Sequence, residues 1–136
     1  MSYEIPDDLF YTKEHEWARR EGDFVVVGIS AYAQESLGDI VFIELPKIGE
    51  ELSQNDTFGV VESVKAVSDL FSPISGKVVE TNGTVTETPE LINQDPYGEG
   101  WLIKLTMGDD SELHNLMNAT EYEEYLGQEA KEATEP

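Results

Sequence analysis

The hydrophobic pattern of the chain is a series of short runs separated by turn residues. Phe24–Ile29 (FVVVGI) is continuous and rich in β-branched residues, which predicts a buried strand. Ile40–Leu45 (IVFIEL) predicts a second strand, stopped by Pro46. Between them, Ser30 is placed to cap a short helix over AYAQESL, and Gly38 supplies its stop. PKIGEELSQND is turn-rich, TFGVVESV and AVSDLF are strand-like, SPISG is a turn and KVVET a strand. NGTVTETPELINQDPYGEG is expected to form a long loop, and WLIKLT to close the sheet. Many short strands at close spacing point to a small all-β barrel or sandwich. A P-x-x-G echo, Pro46–Gly49 and Pro73–Gly76, leaves an internal duplication open.

The ends differ from this β-rich middle. Met1–Phe10 has turn chemistry and is expected to be a mobile arm, followed by a stretch in which Trp17 is the candidate core anchor. Ser111 is expected to start a helix with Leu113, Leu116 and Met117 on one side. Thr120 and Glu123 have capping-box spacing for a second helical segment carrying Tyr122, Tyr125 and Leu126, with Gly127 as its end. Residues 127–136 are expected to fray. The whole, residues 1–136, reads as one domain.

Composition narrows the function. The chain has 136 residues, with 29 acidic and 8 basic side chains, a formal charge of −21 and no cysteine. So few cations argue against nucleic acid as a partner, because phosphate binding gains its free energy from counterion release. The absence of cysteine excludes disulfides, protein thiolate nucleophiles and thiolate zinc sites. No apolar run is long enough for a membrane helix, and the first residues do not resemble a leader, so a cytoplasmic protein of prokaryotic type is expected, or a processed mitochondrial matrix form. His15 and His114 lie far apart, and the acidic pairs lack calcium-loop spacing, so no metal site is expected. No nucleophile elbow, phosphate loop or dinucleotide fingerprint is present, and the chain does not read as an enzyme.

Lys65 is the residue that draws attention. It sits between Val64 and Ala66, with strand formers on either side, so Glu62–Ala66 fits the bend of an antiparallel hairpin. A hairpin tip displays an amine to another protein, and a lysine amine forms a neutral amide with a carboxylic cofactor. From the residues alone, an outward-facing strand lysine and an amine displayed for modification are the two available readings.

The segment GVVESVKAVSDLFSPISGKVVETN resembles the lipoyl-attachment region of the glycine cleavage system H proteins. YTKEHEW before it, GISAYAQESLGDIVFIELP, and ELINQDPYGEGWLIKL after it resemble the same family in order and spacing, from about Tyr11 to Leu126. The resemblance implies a mainly β barrel-sandwich hybrid of lipoyl/biotinyl-type hairpins with short helices, one of them C-terminal. It implies lipoate attached to Lys65 as lipoyl-lysine, with Glu62, Ser63, Val64 and Ala66 forming the turn that a lipoate ligase or lipoyl/octanoyl transferase recognises. It further implies a non-catalytic, monomeric carrier. Its arm takes the aminomethyl group of glycine from the pyridoxal-phosphate-dependent glycine decarboxylase to the tetrahydrofolate-dependent aminomethyltransferase, and dihydrolipoyl dehydrogenase reoxidises it. Glu16 and Asp69 match the positions at which the family's arm docks, with Glu14 close by. An H-like protein that relays lipoyl groups to other enzymes fits the same residues. Biotin carriers place methionine on each side of their lysine, where this chain has Val64 and Ala66, and the intact ESVKA turn speaks against an unmodified scaffold.

Overall fold

The computed structural model describes residues 4–108 and 110–134, with side chains to residue 128. Among the described residues nine strands form two sheets. Strands β1 (Phe10–Tyr11), β2 (Glu16–Glu21), β3 (Phe24–Ile29), β5 (Glu51–Leu52), β8 (Gly76–Thr81) and β9 (Ile103–Thr106) make a six-stranded sheet in the order β1-β2-β3-β9-β8-β5. Strands β4 (Ile40–Glu44), β6 (Thr57–Ser63) and β7 (Val67–Phe71) make a three-stranded sheet in the order β4-β6-β7. The pairs are antiparallel throughout. The strands that follow the two P-x-x-G segments, β5 and β8, pair with each other.

The continuous apolar run of β3 follows from its position. Val25, Val27 and Ile29 face the main core with Ile40, Ile43, Phe58, Val61, Leu70, Val78 and Leu105. Val26 faces a second cluster on the other side, with Tyr11, Trp17, Tyr122 and Leu126. A strand buried on both faces has no polar alternation to show. Trp17 is fully buried and reaches past Gly28, where a Cβ would come within 2.6 Å of the indole. Its Nε1–H donates to the Pro96 carbonyl at 3.0 Å.

Helix α1 (Ala31–Leu37) has the expected ends: the Ser30 hydroxyl accepts from Ala33 N–H, and Gly38 adopts φ +82°. Elsewhere the helices depart from expectation. The segment expected as one long loop holds α2 (Gly83–Glu87) and α3 (Leu91–Gln94), pinned by Val85 and Ile92, each fully buried. The Asn82 side chain accepts from Thr84 N–H and donates to the carbonyls of Glu99 and Trp101, which closes this segment on itself. The helix from Ser111 is a single turn, α4 (Ser111–His114), and Met117 instead bridges to Tyr11.

The last helix, α5 (Ala119–Thr134), is capped two residues earlier than its spacing suggested. Asn118 and Glu121 form the reciprocal box: Asn118 N–H donates to Glu121 and Glu121 N–H to Asn118. Gly127 does not end the helix, whose backbone continues to Thr134. Of the expected arm, residues 4–10 lie against the body. Leu9 is buried, the Tyr97 hydroxyl donates to Glu4 carbonyl, and the Tyr11 hydroxyl to Pro6 carbonyl. Residues 1–3 of that arm and 135–136 of the expected tail lie outside the described residues. Among the described residues no helix is long and apolar enough to cross a membrane.

Candidate functional site

Strands β6 and β7 form the expected hairpin, with Val64, Lys65 and Ala66 as its tip. Ser63 organises the bend. Its N–H donates to Ala66 carbonyl at 2.8 Å, and its hydroxyl accepts from the N–H groups of Lys65 and Ala66 at 3.3 and 3.0 Å. A short hydroxyl able to bond backbone two and three residues on suits such a turn. The tip leaves Val64, Lys65 and Ala66 exposed, while Glu62 is half-buried between Phe42 of β4 and Val67 of β7. Lys65 makes no ion pair among the described residues.

The tip rests on the loop between α1 and β4. Val64 N–H donates to the Asp39 carbonyl at 3.0 Å. The Lys65 stem crosses Gly38, where a Cβ would lie 3.4 Å from Lys65 Cε. Asn93 of α3 holds this loop from below. Its amide oxygen accepts from Ile40 N–H at 2.9 Å, and its Nδ2 donates to Gly38 carbonyl at 2.9 Å and Gln34 Oε1 at 3.0 Å. Sequence reasoning did not single out Asn93. It lies in a stretch dense in Gly, Pro, Asn and Asp, where one more asparagine carries no distinguishing signal.

A cleft of about 510 Å³ opens on the molecule, with Thr12, Glu14 and Glu16 on one wall and Gln54, Phe71 and Leu116 on the others. Glu16 is almost fully buried there. One carboxylate oxygen accepts from the Thr12 hydroxyl at 2.5 Å, the other from Phe71 N–H at 3.1 Å. Phe71 is the last residue of β7, so this carboxylate joins the cleft wall to the base of the lysine hairpin. Burial pushes the Glu16 carboxyl up to about 7, against the lowering effect of its hydrogen bonds from Thr12 and Phe71. Thr12, which sequence reasoning also passed over, is part of the same turn. Its carbonyl accepts from His15 N–H, and His15 takes φ +75°. The His15 ring packs among Tyr32, Tyr122 and Tyr125, with Nδ1 2.9 Å from the Tyr122 hydroxyl.

Of the two carboxylates expected to receive an arm, Glu16 therefore lines the cleft together with Glu14. Asp69 does not: it is exposed on the outward face of β7, opposite Val60. The hairpin tip, its supporting loop and a buried carboxylate in an adjoining cleft can display an amine and shelter a cationic group. Among the described residues no group of three or more His, Asp and Glu side chains is placed to hold a metal ion.

Comparison with known proteins gives the same picture a lineage. The family model for the glycine cleavage H-protein matches residues 9–129. A glycine cleavage system H protein from Symbiobacterium thermophilum is 59% identical over 121 residues, covering 89% of this chain and 94% of that protein. One from Carboxydothermus hydrogenoformans is 54% identical over 127 residues, covering 93% of this chain and 98% of that protein. The crystal structure of a glycine cleavage system H protein from Mycobacterium marinum superposes with a TM-score of 0.78 at 42% identity, covering 93% of this chain and 99% of that one. The two-sheet architecture is thus the lipoyl-type barrel-sandwich fold of these proteins, and with the match running from before β1 into α5, the chain belongs to the glycine cleavage H-protein family.

Proposed function

We propose that this chain is the lipoyl carrier of a glycine cleavage system, with Lys65 as its attachment point. The observation that carries the proposal is the display of Lys65: an exposed amine at a hairpin tip whose backbone is fixed by Ser63 from within and by Asp39 from outside. An ordinary strand lysine needs neither support. A lipoate ligase or a lipoyl/octanoyl transferase makes the attachment, and Glu62, Ser63, Val64 and Ala66 present the amine to it. The lipoyl group supplies, when bound, a strained disulfide that takes up the aminomethyl fragment and the electrons of glycine decarboxylation.

This chain's own residues bind and shelter. The cleft fits such an arm because its walls mix apolar surface from Phe71, Leu116 and Met117 with the carboxylates of Glu14 and Glu16, which outnumber the one cation of the lining, Lys13. Ionised Glu16 attracts an alkylammonium entering the cleft through a charge-assisted hydrogen bond, while the walls keep water away. Asp69, exposed on the outward face of β7, stands apart from this cleft. The chain performs no bond chemistry by itself. It meets the glycine decarboxylase, the aminomethyltransferase and dihydrolipoyl dehydrogenase in turn, and in keeping with its bacterial relatives it works in the bacterial cytoplasm as a single domain and monomer.

Intact-mass measurement after incubation with lipoate, ATP and a lipoate ligase tests the attachment. One lipoyl increment on the wild type and none on Lys65→Ala is expected. An increment on Lys65→Ala, or none on the wild type, contradicts the proposal.

A further inference from the structure

Six large hydrophobic side chains are exposed among the described residues, and four of them, Val41, Phe42, Val64 and Val67, belong to the three-stranded sheet and hairpin tip that carry Lys65. Strand register places the rest of this surface. Phe42, Glu62 and Val67 lie in one row across β4, β6 and β7, and Glu44, Val60 and Asp69 in the next. Directly opposed residues of antiparallel strands point to the same side, as do residues two apart along a strand, so these six share one face. The other face, with Ile43, Val61 and Leu70, is the core. A register shift between Ile40 and Phe42 leaves Val41 as an extra residue, which adds its side chain to the exposed surface. The three strands carry acids at Glu44, Glu62 and Asp69 but no lysine, arginine or histidine; Lys65 stands at the tip between β6 and β7, and Lys47 follows the end of β4.

We propose that this outward face is the docking surface for the acyl-transferring enzyme that forms the amide at Lys65, and that this enzyme meets it with an apolar centre and a basic rim. The inference rests on the carrier reading and adds the surface and its chemistry. A partner that works at the far end of an attached arm has no need to cover the strands. An enzyme that bonds an acyl carbon to Nζ has to bring its own active site to the hairpin tip, and the surface continuous with that tip is this one. In that step the deprotonated Lys65 amine attacks an activated acyl carbon. The C–N bond forms, and the bond to the leaving group breaks, releasing AMP from an acyl adenylate or a carrier thiol from a thioester. The proton lost from nitrogen passes to a base of the enzyme or to solvent. A second copy of this chain is a poor occupant, since it would set three carboxylates against three others. Exposed valine and phenylalanine side chains around a reactive group are a surface kept for contact.

The test compares two reactions of one protein. Phe42→Ser and Val67→Ser are introduced together; as both side chains are already exposed, the fold is expected to persist, and Val41→Ser provides a second, single-site variant at the bulge. Lipoate attachment by a purified ligase is followed by intact mass at varied carrier concentration. The KM for the carrier is expected to rise about ten-fold, from the apolar area no longer buried, with kcat unchanged. The same variants, lipoylated to completion with excess ligase, are expected to support glycine–bicarbonate exchange by the decarboxylase as the wild type does. Glu44→Gln is expected to weaken the salt dependence of kcat/KM for attachment. Unchanged attachment kinetics in every variant overturn the inference. A loss of exchange as large as the loss of attachment also overturns it, and gives the face to the decarboxylase. Dimerisation of the wild type that the variants abolish gives it to a second copy. No lysine-dependent mass gain in the wild type overturns the carrier reading together with this one, which separates the two failures.

Discussion

At the scale of single residues, Glu16 shows what burial does to a carboxylate. Its side chain has two hydrogen-bond donors, Thr12 and Phe71, yet burial still raises its carboxyl to about 7. A carboxyl with a raised folded-state value favours the fold while protonated. That contribution is complete below the unfolded value near 4.3 and is lost as pH climbs through about 7. Glu16→Gln, neutral at every pH, removes this loss. Relative to wild type the variant is expected to gain stability between about pH 4.5 and pH 7, by on the order of 1–3 kcal/mol, and to be the more stable protein at pH 8. Urea denaturation at the two ends of that window measures it, and a difference that does not change with pH contradicts the assignment. Gly127 offers a simpler case. It lies inside α5, and a Cβ there meets nothing within 4 Å. Gly127→Ala is expected to raise helicity by circular dichroism and to stabilise by about 0.5–1 kcal/mol. Reduced helicity would place the end of the helix at Gly127 after all.

Among elements, the lysine hairpin is stabilised from outside as well as within. The path runs from Asn93 on α3 to the Gly38–Ile40 loop, and from Asp39 to the amide of Val64. Asn93→Ala leaves the Ile40 N–H and the Gly38 carbonyl without that partner, at an expected cost of about 1–3 kcal/mol. Hydrogen exchange reads the local effect. The Val64 amide is expected to exchange faster in the variant relative to a sheet-bound amide such as Leu102, which donates to Val27 carbonyl. Equal acceleration of the two would mean that Asn93 serves global stability alone. The strands here were legible because their apolar runs are bounded by turns, and α1 because Ser30 and Gly38 mark its ends. The short helices α2 and α3 were not. Single buried anchors, Val85 and Ile92, hold one or two turns each, too short to show a period among so many turn residues. The start of α5 was misplaced because two overlapping capping patterns exist. Asn118–Glu121 wins over Thr120–Glu123 because it puts Ala119 and Tyr122 in the second core.

Across the whole molecule, charge and apolar surface are distributed unevenly. Arg19 and Lys104 stand in one row of the six-stranded sheet with Val26 between them, and their charges are met by Glu21 and Glu80. The sheet that presents Lys65 has acids and exposed apolar groups but no cation of its own. Three of the chain's 29 acids, Glu44, Glu62 and Asp69, thus stand on the sheet that displays Lys65. Family, fold and the displayed lysine were all legible in the sequence. That Glu16 lines a cleft while Asp69 stands outside it was not, because which side of a twisted strand meets a neighbouring segment depends on packing that the local pattern does not record. The central claim is that Lys65 carries the arm through which glycine is cleaved. Exchange of labelled bicarbonate into glycine by a purified glycine decarboxylase tests it most directly. The lipoylated protein is expected to stimulate exchange saturably, while Lys65→Ala treated with the same ligase leaves it at the level of the decarboxylase alone. Equal stimulation by the two proteins, or none by the lipoylated one, would contradict the claim.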